Sequence, residues 1–518
     1  MAANGSPGSP AKRMRPDRSP ALGALPPPTF DLETWASNYE EMADSGKQSA
    51  DDGTPGALLP LRLAHIAIHC PTLSHESMTS AVSAAKKGKD VQLYTGLCEL
   101  AKQLGHSDLA TPDAEWVTKQ EEGNRRETAR LEGELRGYKN NLIRESIRMG
   151  QEDIATHMLV TGGPAPDSNN PQSLNTSGYN AAYQAFGKMR DYCTTPTHIA
   201  SMTLRLIYTS LLQAVHAQQQ GLTATTHFNA TLANAGRLRT VGVKEEEQSK
   251  LTPISSATTG MAHLGLGNYR EAAGAFLNTS FDYHTQGTLH GADLTRALAS
   301  ANDLAIYGGL TALATFSRQE LLDKVLGGNF RPFLELEPHM RKAISLYTTA
   351  KYQACLDTLR RYYSDWRLDI FLGAPSTAFP SSTSTGIPES HVDALFARIR
   401  EKSITAHFTS FSEISLASLA STFPPTSSSP TAMEDEILQM IESGQLDARL
   451  DVVNGLLIAP REERRTNAHA EAKRTAAEVE RTLLLRLHRV NATLGGLEIP
   501  RPKGQPAWGE VGGAGYGA

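Results

Sequence analysis

Cysteine is scarce in this sequence, and its placement does not make up for the scarcity. The four residues Cys70, Cys98, Cys193 and Cys355 lie far apart and form no C-x-x-C pair. That spacing excludes a disulfide framework and a zinc ribbon, and it suits a reducing compartment. The sixteen histidines contain no H-E-x-x-H and no His-x-His. His65 and His69 are four apart and could share a helical face, but with no third ligand they read as packed or surface residues. No G-x-x-x-x-G-K-[ST] and no G-x-S-x-G is present. Gly265 and Gly267 lack the third glycine of a dinucleotide loop and sit between helices, not after a strand. Ser83 and Lys86 satisfy S-x-x-K without any companion motif. Glu335 and Glu337 read as cap or surface carboxylates, not an acid/base pair. Cys193, placed on an apolar helix face, reads as core. No catalytic residue, cofactor or metal ligand is assigned.

Long apolar runs are also missing. The stretch from Leu304 to Phe316 is the most apolar, yet it holds two glycines and two threonines and falls short of the ~20 residues that span a bilayer. The N-terminus has no apolar core of a secretory signal. The sequons at Asn175, Asn229, Asn278 and Asn491 are therefore read as chance matches, and the chain as intracellular and soluble. A formal net charge of −5 gives no bulk attraction to nucleic acid or to an anionic membrane.

What the sequence has is length and helical pattern. At 518 residues, 40% hydrophobic, it is too long for one core and apolar enough for two or three domains. Residues 1–28 and 499–518 read as disordered tails rich in Gly and Pro. The first tail holds Lys12, Arg13 and Arg15 beside Ser-Pro pairs at Ser6, Ser9 and Ser19. This is either a nuclear import signal with phosphorylation sites or a merely solvated tail. Residues 29–130 read as an N-terminal helical region. Segments 161–177 and 371–390 read as surface loops.

An internal repeat organises residues 131–390. Tyr179, Ala182 and Phe186 recur as Tyr269, Ala272 and Phe276, and again as Tyr352, Cys355 and Leu359. Offsets of three and seven place each triplet on one helical face, with the small residue where a neighbouring helix approaches. The pattern is that of tetratricopeptide-like helix pairs, or of an ordinary bundle in which packing produced the spacing.

Residues 391–460 carry the sharpest local pattern. Val392, Leu395, Phe396 and Ile399 mark a helix over 391–408. Ser410 with Glu413 reads as a capping box opening a short helix with Ile414, Leu416 and Leu419. Thr431 with Glu434 reads as a second box, opening a helix with Ile437, Met440 and Ile441 that Gly444 ends. Two β-rich runs, 447–453 and 456–459, flank Asn454-Gly455, the dipeptide of a type I′ hairpin. Helix, helix, helix, hairpin is a winged helix. The helix that would enter a DNA groove holds Glu434, Asp435, Glu436 and Glu442 and no cation, so it cannot neutralise phosphate. What remains is a small sheet whose edge can pair with another chain.

Residues 461–494 read as one long helix within 461–498. Its first half is charged, and its second carries Val479, Leu483, Leu487, Val490 and Leu494 at coiled-coil-like spacing. Each such side chain buried contributes about 1.5–3 kcal/mol, so the stripe needs a cover: another chain, or a fold back onto its own winged helix.

Mainly α, with tetratricopeptide-like repeats, a winged helix and a long terminal helix, the chain resembles the PCI-domain family of the proteasome lid, the COP-nine signalosome and an initiation-factor complex. The stretches His69–Leu73, Ile143–Arg148, Arg190–Cys193, Phe333–Pro338, Leu368-Asp369 and above all Ala305–Leu321 resemble the subunit-one branch of the signalosome, and Asp31–Tyr39 resembles its start. Segments 161–177, 371–390 and 424–430 are longer than that family's norm, and 217–243 matches weakly. The resemblance implies a non-catalytic scaffold in a complex that removes Nedd8 from cullins, in nucleus and cytoplasm. The implied partners are other PCI-domain subunits, the zinc metalloprotease subunit that holds the chemistry, and cullin–RING ligases. Neither nucleic acid nor a membrane is an expected partner. It further implies that Val452, Val453, Leu456 and Leu457 lie at an edge joining winged helices, and that Leu483, Leu487, Val490 and Leu494 enter a helical bundle. The alternative within the same layout is a proteasome-lid subunit.

Overall fold

A computed structural model describes residues 30–37, 39, 58–163, 179–286, 298–376, 390–424, 432–460 and 464–497. The chain falls into two units, residues 1–446 and 447–518. The first is built of helices in which sequence neighbours pack on one another, as in Arg144–Val160 on Tyr179–Met189, Glu245–Gly265 on Tyr269–Leu277, and Pro338–Thr348 on Tyr352–Arg367.

Each repeat triplet opens the second helix of such a pair. Tyr179, Tyr269 and Tyr352 are the first residues of their helices, and all nine triplet side chains are buried. The small residue works as expected: Ala182, Ala272 and Cys355 are fully enclosed, which lets the paired helix come close. Gly260, on the helix facing the middle copy, completes the fit. A Cβ there would lie 2.6 Å from the Phe276 ring, so the ring occupies the space a side chain would take.

The core also contains charge. Arg62, on helix Leu58–His69, is enclosed and pairs with Asp369 at 3.2 Å while donating to the Leu298 carbonyl. Its guanidinium lies 4.3 Å from the Tyr39 ring centre and 5.6 Å from that of Phe371. Tyr39 donates to Asp303 at 2.8 Å, and Tyr307 donates to Asp369 at 2.8 Å. Asp369 also accepts from the backbone N–H groups of Phe371 and Leu372 at 3.1 and 3.0 Å. Burial pushes the Asp303 carboxyl above its usual range; Arg62 pulls it down and Asp369 pushes it further up.

This arrangement corrects one expectation. Residues 371–376, read as the start of a surface loop, are largely buried: Phe371, Leu372 and Ala374 are core. Gly373 makes that possible, since a Cβ would meet the Arg367 carbonyl at 2.2 Å and His65 Nε2 at 2.6 Å. The rest of that segment, 377–389, and the other loop residues 164–178 and 425–430 lie outside the described residues, as do both tails.

The start of the winged helix is tied to the repeats by a half-buried cation. Lys402, on helix His391–Phe408, donates to the carbonyls of Leu313 (2.7 Å) and Phe316 at the C-terminal end of helix Ala301–Thr315. Those carbonyls have no intrahelical partner, and a cation there also meets the negative end of the helix dipole. Burial lowers the ammonium to about 8. Ser390 caps helix His391–Phe408 with Asp393 in a full capping box.

Two further expectations change. Glu413–Ser415 is a short strand, β1, not a helical turn, with Ile414 buried between two exposed neighbours. The helix begins at Leu416 because Ser415, not Ser410, is its cap: Ser415 Oγ accepts from the Ser418 N–H at 3.3 Å. Cys193 ends a single 3-10 turn, Arg190–Tyr192, and is half-buried, its thiol donating to the Met189 carbonyl at 3.4 Å. Helix Ala432–Glu442 follows the expected pattern, with Ile437 and Met440 buried and Gly444 at φ 73° behind it; Thr431 of its expected capping box lies outside the described residues. Among the described residues no helix is long and apolar enough to cross a membrane. The fold is mainly α: helical repeats running into a winged helix and a long terminal helix.

Removing Arg62 strands two buried carboxylates. Arg62→Met is expected to destabilise the chain by about 3–5 kcal/mol in urea unfolding, because an unpaired buried charge costs more than a lost contact. A second test concerns Asp90, which caps helix Val91–Leu104 and accepts from Tyr179 at 2.9 Å. Burial raises its carboxyl to about 6, against 3.8 unperturbed. Between those values the folded chain holds more protons than the unfolded one, so stability falls as pH rises through the window. Asp90→Asn is expected to flatten that slope in thermal unfolding measured from pH 4 to 6.

Candidate protein-interaction surfaces

Helix Ala432–Glu442 turns Met433, Ile437 and Met440 inward. Of its carboxylates, Glu436 accepts from Arg400 Nε at 2.6 Å and Nη2 at 3.0 Å, and the same Nη2 donates to the Phe423 carbonyl at 3.1 Å. The others surround Leu438, which is exposed. The helix itself holds no Lys or Arg to meet phosphate.

The second unit begins with a hairpin of two three-residue strands, β2 (Arg449–Asp451) and β3 (Leu456–Ile458). They are antiparallel, in the register Arg449↔Ile458, Leu450↔Leu457 and Asp451↔Leu456. The connection has four residues, 452–455, not the two of a type I′ turn: Gly455 has φ 62°, whereas Asn454 is not left-handed. The Asp451 side chain closes the loop, accepting from the N–H groups of Val453 (3.1 Å) and Asn454 (3.2 Å) and from Asn454 Nδ2 (2.8 Å). These bonds hold its carboxyl below the usual range, Asn454 contributing most. The four candidate edge residues therefore separate. Val452 and Val453 stand in the loop, 60% and 94% exposed; Leu456 is half-buried at a strand end; Leu457 is fully buried. Among the described residues β2 pairs only with β3, in the strand order β1-β3-β2.

The terminal helix, Arg464–Leu494, is where the sequence stripe is most legible. Val479, Leu483, Leu487, Val490 and Leu494 are all exposed, between 50% and 81%, and no described side chain of this helix is buried. The structure adds Leu484 and Leu485, equally exposed, which the heptad reading passed over. Ala476, Val479, Glu480, Leu483, Leu484 and Leu487 line one shallow, largely apolar concavity. Positions 476, 480, 483, 484 and 487 follow the wide stripe of a helix that meets more than one neighbour, not the narrow seam of a two-stranded coil. The signal was in the Leu483-Leu484-Leu485 run itself.

The groups with chemical potential lie elsewhere and are engaged in packing. His65 is buried, its Nε2 3.3 Å from the Arg367 carbonyl, and burial lowers its pKa to about 3. His69 Nδ1 lies 2.9 Å from the His65 carbonyl. Burial likewise raises the thiols of Cys98, Cys193 and Cys355. Glu335 lies 3.5 Å from Arg331, and Glu337 accepts from Asn302 at 2.8 Å. Among the described residues no three His, Cys, Asp or Glu side chains gather to hold a metal ion.

Comparison with known proteins bears on the same regions. Residues 174–324 match the family described as 26S proteasome subunit RPN7, and residues 360–461 match the PCI domain. Across its length the chain is similar to COP9 signalosome complex subunit 1 of Emericella nidulans, 35% identical over 92% of this chain and 84% of that one. The Neurospora crassa protein of the same name is 31% identical over 85% and 88%. That of Arabidopsis thaliana is 28% identical over 92% of each.

The two halves of the hairpin should respond differently to truncation. Leu457→Ala is expected to cost about 2–5 kcal/mol, as for other fully buried leucines. Val453→Ala should stay within about 0.5 kcal/mol, and chemical denaturation of both variants checks the contrast.

Proposed function

The chain belongs to the COP9 signalosome complex subunit 1 family, and from that footing we propose that it serves as a non-catalytic scaffold subunit of the signalosome, supporting removal of Nedd8 from cullin–RING ubiquitin ligases. The observation that carries the reading is the likeness to named signalosome subunits over nearly the whole chain, far beyond the PCI domain alone. The proteasome-lid alternative shares the PCI domain and the RPN7 match, but the full-length relatives bear the signalosome name.

One feature supports a scaffold. The terminal helix presents an apolar face that is exposed among the described residues, and burying five large side chains of it on partner helices would contribute several kcal/mol even after side-chain ordering. The partners we propose are the other PCI-domain subunits and that zinc metalloprotease, with cullin–RING ligases met directly or through them, in nucleus and cytoplasm.

Affinity purification of the tagged chain from its native extract should recover those subunits together with cleavage of a Nedd8–cullin conjugate. Recovery of proteasome particles without that activity would move the chain to the lid. Leu483→Asp with Leu487→Asp should abolish recovery while the isolated variant keeps the helical content and unfolding temperature of the parent, since both residues are already exposed. Normal co-purification by that variant would defeat the bundle assignment.

A further inference from the structure

The apolar stripe of helix Arg464–Leu494 runs further than its large side chains do. Ala476, Ala472 and Ala468 continue the line of Val479, Leu483, Leu487, Val490 and Leu494 towards the start of the helix, and every member is exposed. From Ala468 onward the spacings are four, four, three, four, four, three and four. The line therefore repeats every eleven residues, at about 3.67 residues per turn, and keeps to one side of a nearly straight helix.

The line is divided by size. Its first three members are alanines, and the rest are valine or leucine. Two such helices packed in parallel would set alanine on alanine at one end and leucine on leucine at the other. Their axes would have to splay or leave a gap, because the interaxial distance follows the side chains at the contact. Packed antiparallel, the sizes complement one another. Read backwards, the spacings keep each position within one residue of its forward counterpart. Leu494 of one copy then meets Ala468 of the other, Val490 meets Ala472, and Leu487 meets Ala476. Leu483 meets Val479 on either side of the two-fold axis. Each layer sets a large side chain against a smaller one, which is how a packed core interdigitates. A contact of this symmetry closes at two copies.

We propose that, outside any larger assembly, the terminal helix pairs antiparallel with the terminal helix of a second copy of this chain, each stripe covering the other. The strip is about 39 Å long and about 10 Å wide on each copy, at the small end of stable interfaces. Glu480, which lines the same shallow concavity, lies near the two-fold axis and meets its own copy with like charge. The pair is accordingly weak, forming at about micromolar concentration, and Leu484 and Leu485 stay outside it. The pairing concerns the free chain and does not rest on the signalosome reading.

Sedimentation of the purified full chain from about 1 to 100 µM tests this. The mass should rise from one copy to two across that range, and Leu483→Asp with Leu487→Asp should hold it at one copy throughout. Direction is read by crosslinking: a chain carrying Ala472→Cys is mixed with a chain carrying Val490→Cys and oxidised. A disulfide-linked dimer should form in the mixture and not in either variant alone beyond the level of the parent. A monomer at every concentration, a mass above two copies, or a dimer that survives the double aspartate variant overturns the proposal. Crosslinking of either variant with itself as readily as in the mixture overturns the antiparallel register. A monomeric result leaves the signalosome reading standing, since that reading is decided by what co-purifies from extract.

Discussion

A guanidinium removed from water must find its counter-charge inside the protein, and here that requirement holds distant parts of the chain together. Arg62 lies 307 positions from Asp369 and 236 from Leu298, yet it touches both. Tyr39 reaches Asp303, and Tyr307 reaches Asp369, so the N-terminal helices, the central repeats and the turn after Arg367 share one polar cluster. A hydrophobic contact could be traded for another of similar volume. This cluster cannot, because each charge is tolerable only while the others keep their places. The positions of Phe371, Leu372 and Gly373 depend on it, and with them the approach to the winged helix.

The parts of the fold that were legible in the sequence are those governed by local rules. A triplet with offsets of three and seven needs only helical geometry, and all three copies open helices as that geometry requires. Gly444 behind an apolar helix needs only the freedom of a left-handed residue. The Arg62 cluster obeys no local rule: nothing near Arg62 names Asp369 as its partner, and a buried arginine looks like a surface one until the fold is known. The stretches that resemble a known family nonetheless converge there, since Tyr39, Tyr307 and Asp369 each sit in one of them.

The misplaced elements have a common cause. Ser410 and Glu413 have the spacing of a capping box, but Ser415 competes for the same role, and Ile414 is β-branched and buried, so extended backbone wins until Leu416. Asn454-Gly455 looks like a two-residue turn, but Asp451 offers three hydrogen bonds that stabilise a longer loop, which moves Val452 and Val453 out of the strand. In the terminal helix the apolar stripe was visible, but a search for period 3.5 passes over Leu484, which only a wider face includes.

Lys402 gives the boundary between repeats and winged helix a different meaning from the one sequence reading would draw. A border near residue 390 looks like a place to divide the chain. The lysine, however, occupies the last carbonyls of helix Ala301–Thr315, a duty normally met within a helix or by water. Helix His391–Phe408 is therefore the missing final turn of its neighbour as much as the first element of the winged helix. A protease cut between residues 376 and 390 would sever the backbone without releasing either side. The two would melt together, as one cooperative unit, and a fragment ending before residue 390 would uncover the helix end that Lys402 had closed.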